Sequence, residues 1–185
     1  MAARRDEILD AARACFEEHG YAATTIEQIA ARSGASNGSI YHHFGAKEGI
    51  ASALYVQILR DYQRGVARTI RRGTGAERAI KALVRHHLRW VERHPVEARF
   101  LLHSGAGVAA KDEVAAANRE LYDAFDAWMV VNREALRQLP REVFFAVAIG
   151  PAHELSRGWL AGRVPSLRRL EAALAEAAWR AVRAD

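Results

Sequence analysis

One cysteine and four prolines stand among 185 residues. With Cys15 alone, no internal disulfide can form, so the fold must rest on its apolar core, as fits a reducing cytoplasm. No uninterrupted apolar run approaches the roughly 18–20 residues needed to span a bilayer. The opening Met1-Ala2-Ala3-Arg4-Arg5-Asp6-Glu7 lacks the apolar stretch of a secretory signal. Strict alternation of β-branched and polar residues is also missing, so no strand is expected. There is no His-Glu-x-x-His pair, no glycine-rich phosphate loop and no nucleophile elbow. His153-Glu154 lacks a second His one turn away, and His86-His87 fall on different faces of a helix. The expectation is therefore no catalytic residue, no metal site and no cofactor.

Half of the residues are hydrophobic and 26% are charged, which is enough to bury a substantial core. Net charge is +5, a balance that permits a polyanionic partner without requiring one. Its distribution tempers the signal: residues 1–47 hold five Lys/Arg against six Asp/Glu, while residues 48–72 hold five against two. If the N-terminal part binds nucleic acid, it does so by the placement of side chains and not by bulk charge.

Helical periodicity dominates, and it predicts nine helices. The first runs from about Arg4 to His19, buries Ile8, Ala12, Cys15 and Phe16, and stops at Gly20. Cys15 reads as a small core residue. A short helix follows, capped by Thr24 or Thr25 with Glu27 or Gln28 completing a capping box, and ending near Ser33-Gly34. The third spans about Ser36–His43 and the fourth about Lys47–Arg72, before a turn at Arg71-Arg72-Gly73-Thr74-Gly75. The remaining five are expected over about Ala76–His94, Pro95–Ser104, Lys111–Gln138, Pro140–Ala161 and Ser166–Ala184. Gly105-Ala106-Gly107 reads as a joint, and Gly150-Pro151 should kink the eighth helix. Leu167, Leu170, Leu174, Ala177 and Ala178 form the apolar stripe of the ninth.

The informative stretch is Ile26 to Phe44, which meets the constraints of a helix-turn-helix. Ala30 sits where the two helices would cross most closely. Gly34 can take the left-handed conformation that turns the chain between them. Ile29, Ala35 and Ile40 are placed to fix the crossing, and Ser36 to cap the second helix. Asn37, Gly38 and Ser39 then fall on its first turn, where side chains meet base edges.

Ile40-Tyr41-His42-His43-Phe44-Gly45-Ala46-Lys47-Glu48 resembles the recognition-helix signature of the tetracycline-repressor-like (TetR/AcrR) family of bacterial transcription regulators. Upstream, Phe16-x-x-x-Gly20-Tyr21-x-x-Thr24-Thr25-x-x-x-Ile29-Ala30 is similar to the same pattern. The resemblance is close over about the first 50 residues. Beyond them it rests on length, helical content and Trp159-Leu160-Ala161-Gly162. It implies an all-α protein with a DNA-binding domain over 1–47 and a ligand-binding and dimerisation domain over 48–185.

Tyr41, His43 and Lys47 occupy positions at which family members touch phosphates, and Thr25 can donate to a phosphate at the start of the second helix. Asn37, Ser39 and His42 are candidates for reading bases, with Gly38 allowing close approach and Ser36 at the cap. Arg4 and Arg5 precede the first helix and are placed to reach neighbouring phosphates or the minor groove. Phe44 reads as a core aromatic of the small domain.

In the C-terminal half the resemblance implies that the last two long helices pair with those of a second copy. Ala148, Ala152, Leu170, Leu174, Ala177 and Ala178 are the candidate interface. His87, Trp90, Phe100, His103, Phe125, Trp128 and Phe144 are candidates to line an effector pocket, although each also suits plain core. The expected protein is a homodimeric, cytoplasmic repressor that binds a palindromic DNA operator and is released by a small-molecule inducer. The alternatives are a helical interaction module of the same fold without DNA binding, against which Tyr41, Lys47 and the Gly34 turn speak, and an enzyme, against which the missing motifs speak.

Overall fold

The computed structural model describes residues 2–72, 75–103 and 110–184. Ten α-helices form among them: α1 (Ala2–Ala23), α2 (Ile26–Ser33), α3 (Asn37–Phe44), α4 (Lys47–Arg72), α5 (Ala76–Arg93), α6 (Pro95–His103), α7 (Lys111–Val131), α8 (Arg141–Ala148), α9 (Gly150–Leu160) and α10 (Glu171–Val182). The expected joint at 105–107 and the centre of the 71–75 turn lie outside the described residues.

The chain divides into two units, one of Met1–Leu59 with Phe100–Ala115, the other of Arg60–Arg99 with Ala116–Asp185. In the first unit, Ile8, Ala12, Cys15 and Phe16 of α1 turn inward as their spacing predicts, and Ile8, Ile29, Ile40 and Ile50 are wholly buried. Gly20 interrupts α1 with φ 77° and ψ 159°, a conformation that a β-carbon disfavours. Beyond it, the buried Thr24 hydroxyl donates to the carbonyls of Gly20 (2.8 Å) and Cys15 (3.1 Å), which stitches the turn to the helix it leaves. The Arg32 guanidinium grips the Glu18 carboxylate through two bonds of 2.6 and 2.7 Å, linking α2 to α1. It holds the Glu18 carboxyl below its usual range.

The second unit departs from the expected helices in three places. Helix α7 ends at Val131 and not near Gln138: the Trp128 carbonyl accepts from both the backbone N–H and the side-chain amide of Asn132, and the chain then goes through a 3-10 turn (Arg133–Ala135). Leu136 is then extended and pairs with Arg183, with Arg137 N donating to the Val182 carbonyl at 2.8 Å. The expected helix over 140–161 is two helices, broken at Ile149 (φ −122°, ψ −19°) just ahead of Pro151, which lacks the N–H that a continuous ladder needs. Finally, α10 starts at Glu171, and its buried stripe is Ala175, Ala178 and Val182. Arg85 and Arg89 of α5 face Glu171, and Lys81 faces Glu176, so ion pairs frame the packing of α5 on α10.

Polar groups are buried inside this unit in a connected set. His87, 6% exposed, shares a 2.9 Å hydrogen bond between Nδ1 and the Tyr62 hydroxyl and a 3.1 Å bond between Nε2 and the Ser156 hydroxyl. The His153 ring lies 4.6 Å from that of His87. His86 packs against Gly65 of α4 so closely that a β-carbon there would lie 2.4 Å from its Cε1. Burial lowers the pKa of all three imidazoles, that of His87 to about 3, with His153 and His86 adding repulsion to the latter.

These groups fold neutral and become protonatable when the chain opens. Their contribution to stability is therefore full above the ordinary histidine value of 6.5 and falls as pH drops below it toward the depressed folded values. The melting temperature should fall between about pH 8 and about pH 5, and His87→Gln should flatten that slope. Calorimetry of both proteins across the range checks it; equal slopes would remove His87 as a cause.

Candidate nucleic-acid interface

The segment from Thr25 to Lys47 is built by caps. Thr25 accepts from Gln28 N (3.3 Å) while Gln28 Oε1 accepts from Thr25 N (2.8 Å), so Thr25 and Gln28 form the capping box. Gly34 ends α2 in the left-handed region (φ 65°, ψ 13°), and Ser36 caps α3 by accepting from Ser39 N at 3.1 Å. Ile29, Ala35 and Ile40 are buried between the helices, whereas Ala30 is only partly covered, so the crossing rests on the three larger contacts.

With Ile40 turned inward, one face of α3 is left to solvent. Asn37, Gly38, Tyr41 and His42 lie on it at i and i+4 spacings, and Tyr41 is 51% exposed. Ser39 and His43 flank it, partly covered, and the rings of His42 and His43 stand 5.5 Å apart. Thr25 and Ser36 are exposed, but both hydroxyls already accept cap bonds. Each can still donate. The outward face of α3 carries no carboxylate, only amide, hydroxyl, phenol and imidazole groups. Such groups can donate to phosphate and to base edges without a large uniform field.

Lys47 is placed otherwise than expected. Its ammonium donates to the carbonyls of Tyr21 (2.9 Å), Ala22 (3.2 Å) and Thr24 (2.8 Å), and lies 4.7 Å from the centre of the Tyr21 ring. Those carbonyls follow the break at Gly20, where no later turn of helix supplies N–H donors. All three ammonium protons are engaged, so a phosphate contact would require one of these bonds to be given up. A lysine at the first position of a helix opposes the helix dipole, and that was the available hint that its charge serves another element. Arg4 is likewise occupied, by Glu7 at 2.9 Å and the Ser33 carbonyl at 3.5 Å, and Arg5 lies over the partly buried Phe44 ring.

The candidate pocket residues do not converge. Phe125, Trp128 and Phe144 are buried against one another, with Phe125 and Phe144 ring centres 5.2 Å apart, and fill core. Phe100 packs at 6.1 Å from Phe16 in the first unit, Trp90 at 4.9 Å from Tyr62, and the side chain of His103 lies outside the described residues. The second unit instead holds a cavity of about 300 Å³ walled by Tyr62, Val66, Leu83, Leu121, Phe145 and Ile149, with Asn118, His153 and Arg141 among its polar groups. His87 reaches it only indirectly, through Tyr62 and His153. Tyr62 with Val66 on α4 and Asn118 with Tyr122 on α7 stand four residues apart, the spacing that marks one face of each helix and the signal for this lining in the sequence. Among the candidate interface residues, Ala148, Ala152 and Ala178 are buried within the subunit and cannot meet a partner. Leu170 and Ala177 are exposed and Leu174 partly so. No cluster of three metal-ligating side chains occurs among the described residues, and no helix there is long and apolar enough to cross a membrane.

Replacing Lys47 by Met should strand three carbonyls and lower stability by about 1–3 kcal/mol, with Lys47→Arg intermediate. Denaturant melts read by circular dichroism measure this; an unchanged midpoint for Lys47→Met would show that the clamp carries no weight.

Known proteins resemble the chain in sequence and in fold. Residues 8–54 match the pattern described as bacterial regulatory proteins, tetR family. The HTH-type transcriptional repressor AcnR of Corynebacterium diphtheriae is 35% identical over 94 residues, 51% of this chain and 45% of that protein. The repressor KstR2 of Rhodococcus jostii is 36% identical over 81 residues, 44% of this chain and 40% of that protein. The chain thus spans less than half the length of these curated relatives. A TetR family transcription regulator from Marinobacter aquaeolei aligns over 100% of this chain and 97% of its own, with a TM-score of 0.76 at 17% identity. The regulator FadR from Bacillus subtilis, solved in complex with stearoyl-CoA, aligns over 93% and 96% with a TM-score of 0.75 at 17% identity. These relatives and neighbours are described as regulators and repressors, and none as an enzyme. Residues 8–54 thus carry the pattern of the tetR family of bacterial regulatory proteins, and the whole chain shares its fold with the solved regulators.

Proposed function

We propose that the protein is a cytoplasmic transcriptional repressor that binds a palindromic operator as a homodimer and leaves it when a small molecule binds. The observation that carries this reading is the exposed, carboxylate-free face of α3, set by the Gly34 turn and the inward Ile40. Its width and chemistry suit the major groove. Residues 1–47 are assigned to DNA and residues 48–185 to effector and partner. Asn37, Ser39 and His42 read bases, with Gly38 admitting close approach. Thr25, Ser36, Tyr41 and His43 meet phosphates, and Lys47 acts by holding the end of α1.

Reading a palindrome requires two copies of α3 about one DNA turn apart. The accessible residues Leu170, Leu174 and Ala177 support a partner surface along α10. The apolar cavity between α4, α5, α7, α8 and α9 supports a lipophilic effector. Helix α4 contributes residues to both units, and a shift in its position would change the presentation of α3. A coupling of about 1–3 kcal/mol would change operator affinity about 5- to 150-fold.

Selection of bound duplexes from a random library supplies the operator. On that operator and on scrambled duplexes, Tyr41→Phe should weaken binding to all sequences alike, and Asn37→Ala should alter which sequence is preferred. Equal losses from both variants on every duplex would refute the division of roles. In light scattering, Leu170→Glu with Leu174→Glu should yield a folded monomer; a dimer unchanged by both would move the partner surface elsewhere.

A further inference from the structure

A second cavity, of about 270 Å³, lies along the same two helices as the first. Arg60, Gln63 and Arg64 of α4 line it together with Ala117, Glu120 and Leu121 of α7. On α4 the two cavities take adjacent ridges, Tyr62 and Val66 for the inner one, Gln63 and Ala67 for the outer. Leu121 borders both. Gln63, from the wall of the outer cavity, donates its side-chain amide to Asn118, from the wall of the inner one, at 2.5 Å. One amide pair and one leucine side chain therefore stand at the seam between the two spaces.

The charged groups are distributed unequally. In the inner cavity Arg141 is engaged by Asp126, by Glu142 and by the face of the Tyr122 ring, and the Tyr62 hydroxyl is bonded to His87. His153 is kept neutral there by burial and by Arg157. An anionic head group would find no unengaged cation in that space. In the outer cavity Arg64 pairs with Asp61, and Glu120 stands on α7. Arg60, one turn before Arg64, is exposed and makes no ion pair among the described residues.

From this arrangement we infer that the two cavities are one site for an amphipathic anion, its hydrocarbon tail in the inner cavity and its carboxylate on Arg60. The tail crosses the seam by displacing the Gln63–Asn118 bond, and the amide groups released there can bond the ligand near its head. The inference rests on the proposal that the inner cavity takes the effector and adds the chemical class.

Calorimetric titration of the full chain with decanoate, decan-1-ol and decylamine tests it. Decanoate should bind about tenfold more tightly than decan-1-ol, as a charge-assisted contact supplies. Arg60→Ala should erase that difference and leave decan-1-ol binding unchanged. Leu121→Trp, with folding verified by circular dichroism, should weaken both by obstructing the shared wall. Equal affinities for the acid and the alcohol, or tightest binding of the amine on Glu120, would overturn the anion site while leaving the inner cavity as an effector pocket. Failure of all three to bind the folded protein would overturn both readings.

Discussion

An eight-residue helix does not persist in water by its own hydrogen bonds, and α3 has only eight residues. Its position is imposed from outside. Ile40 anchors its middle in the core of the first unit, the left-handed Gly34 and the Ser36 cap set its entry, and Lys47 secures the chain just beyond its exit. The Lys47 contact is the least local of these, because it joins the start of α4 to the end of α1 across 23–26 residues. Everything that α3 can offer to a duplex depends on this frame, which buries one face so fully that the other must be presented.

The second unit works by a different balance. Its interior contains three imidazoles, a phenol and a hydroxyl, groups that are costly to desolvate unless they pair. Tyr62, His87 and Ser156 form a chain of bonds, and the imidazoles shed their charge. The cavity wall is thereby polar without being ionic on that side. A chamber of this kind tolerates a hydrocarbon and still offers a hydrogen bond from His153, which makes no hydrogen bond of its own through the ring among the described residues.

Local rules carried the first 50 residues well, because there each function of a residue is local. Gly20 and Gly34 stop helices, Thr25 with Gln28 caps one, and Ile29, Ala35 and Ile40 follow helical spacing. Lys47 escaped, since its partners are peptide carbonyls that leave no signature in side-chain identity. Farther along, the apolar positions were legible but their facing was not. Ala148, Ala152 and Ala178 are small residues that suit a subunit core as well as an interface, and three-dimensional packing assigned them to the core. The aromatic residues Phe125, Trp128 and Phe144 were large enough to fill space rather than surround it. The end of α7 was hidden because the extended stretch beyond it is stabilised by the distant Val182 carbonyl, which accepts from Arg137 N.

Gly65 ties these observations together. In the middle of a long helix a glycine costs about 0.5–1 kcal/mol relative to alanine, and α4 bears that cost where the His86 ring lies against its backbone. The neighbouring residues Tyr62 and Val66 line the inner cavity. A methyl group at position 65 would fall 2.4 Å from His86 Cε1, so the imidazole or the helix would have to shift. The close seat of that imidazole against α4 thus depends on a side chain that is missing.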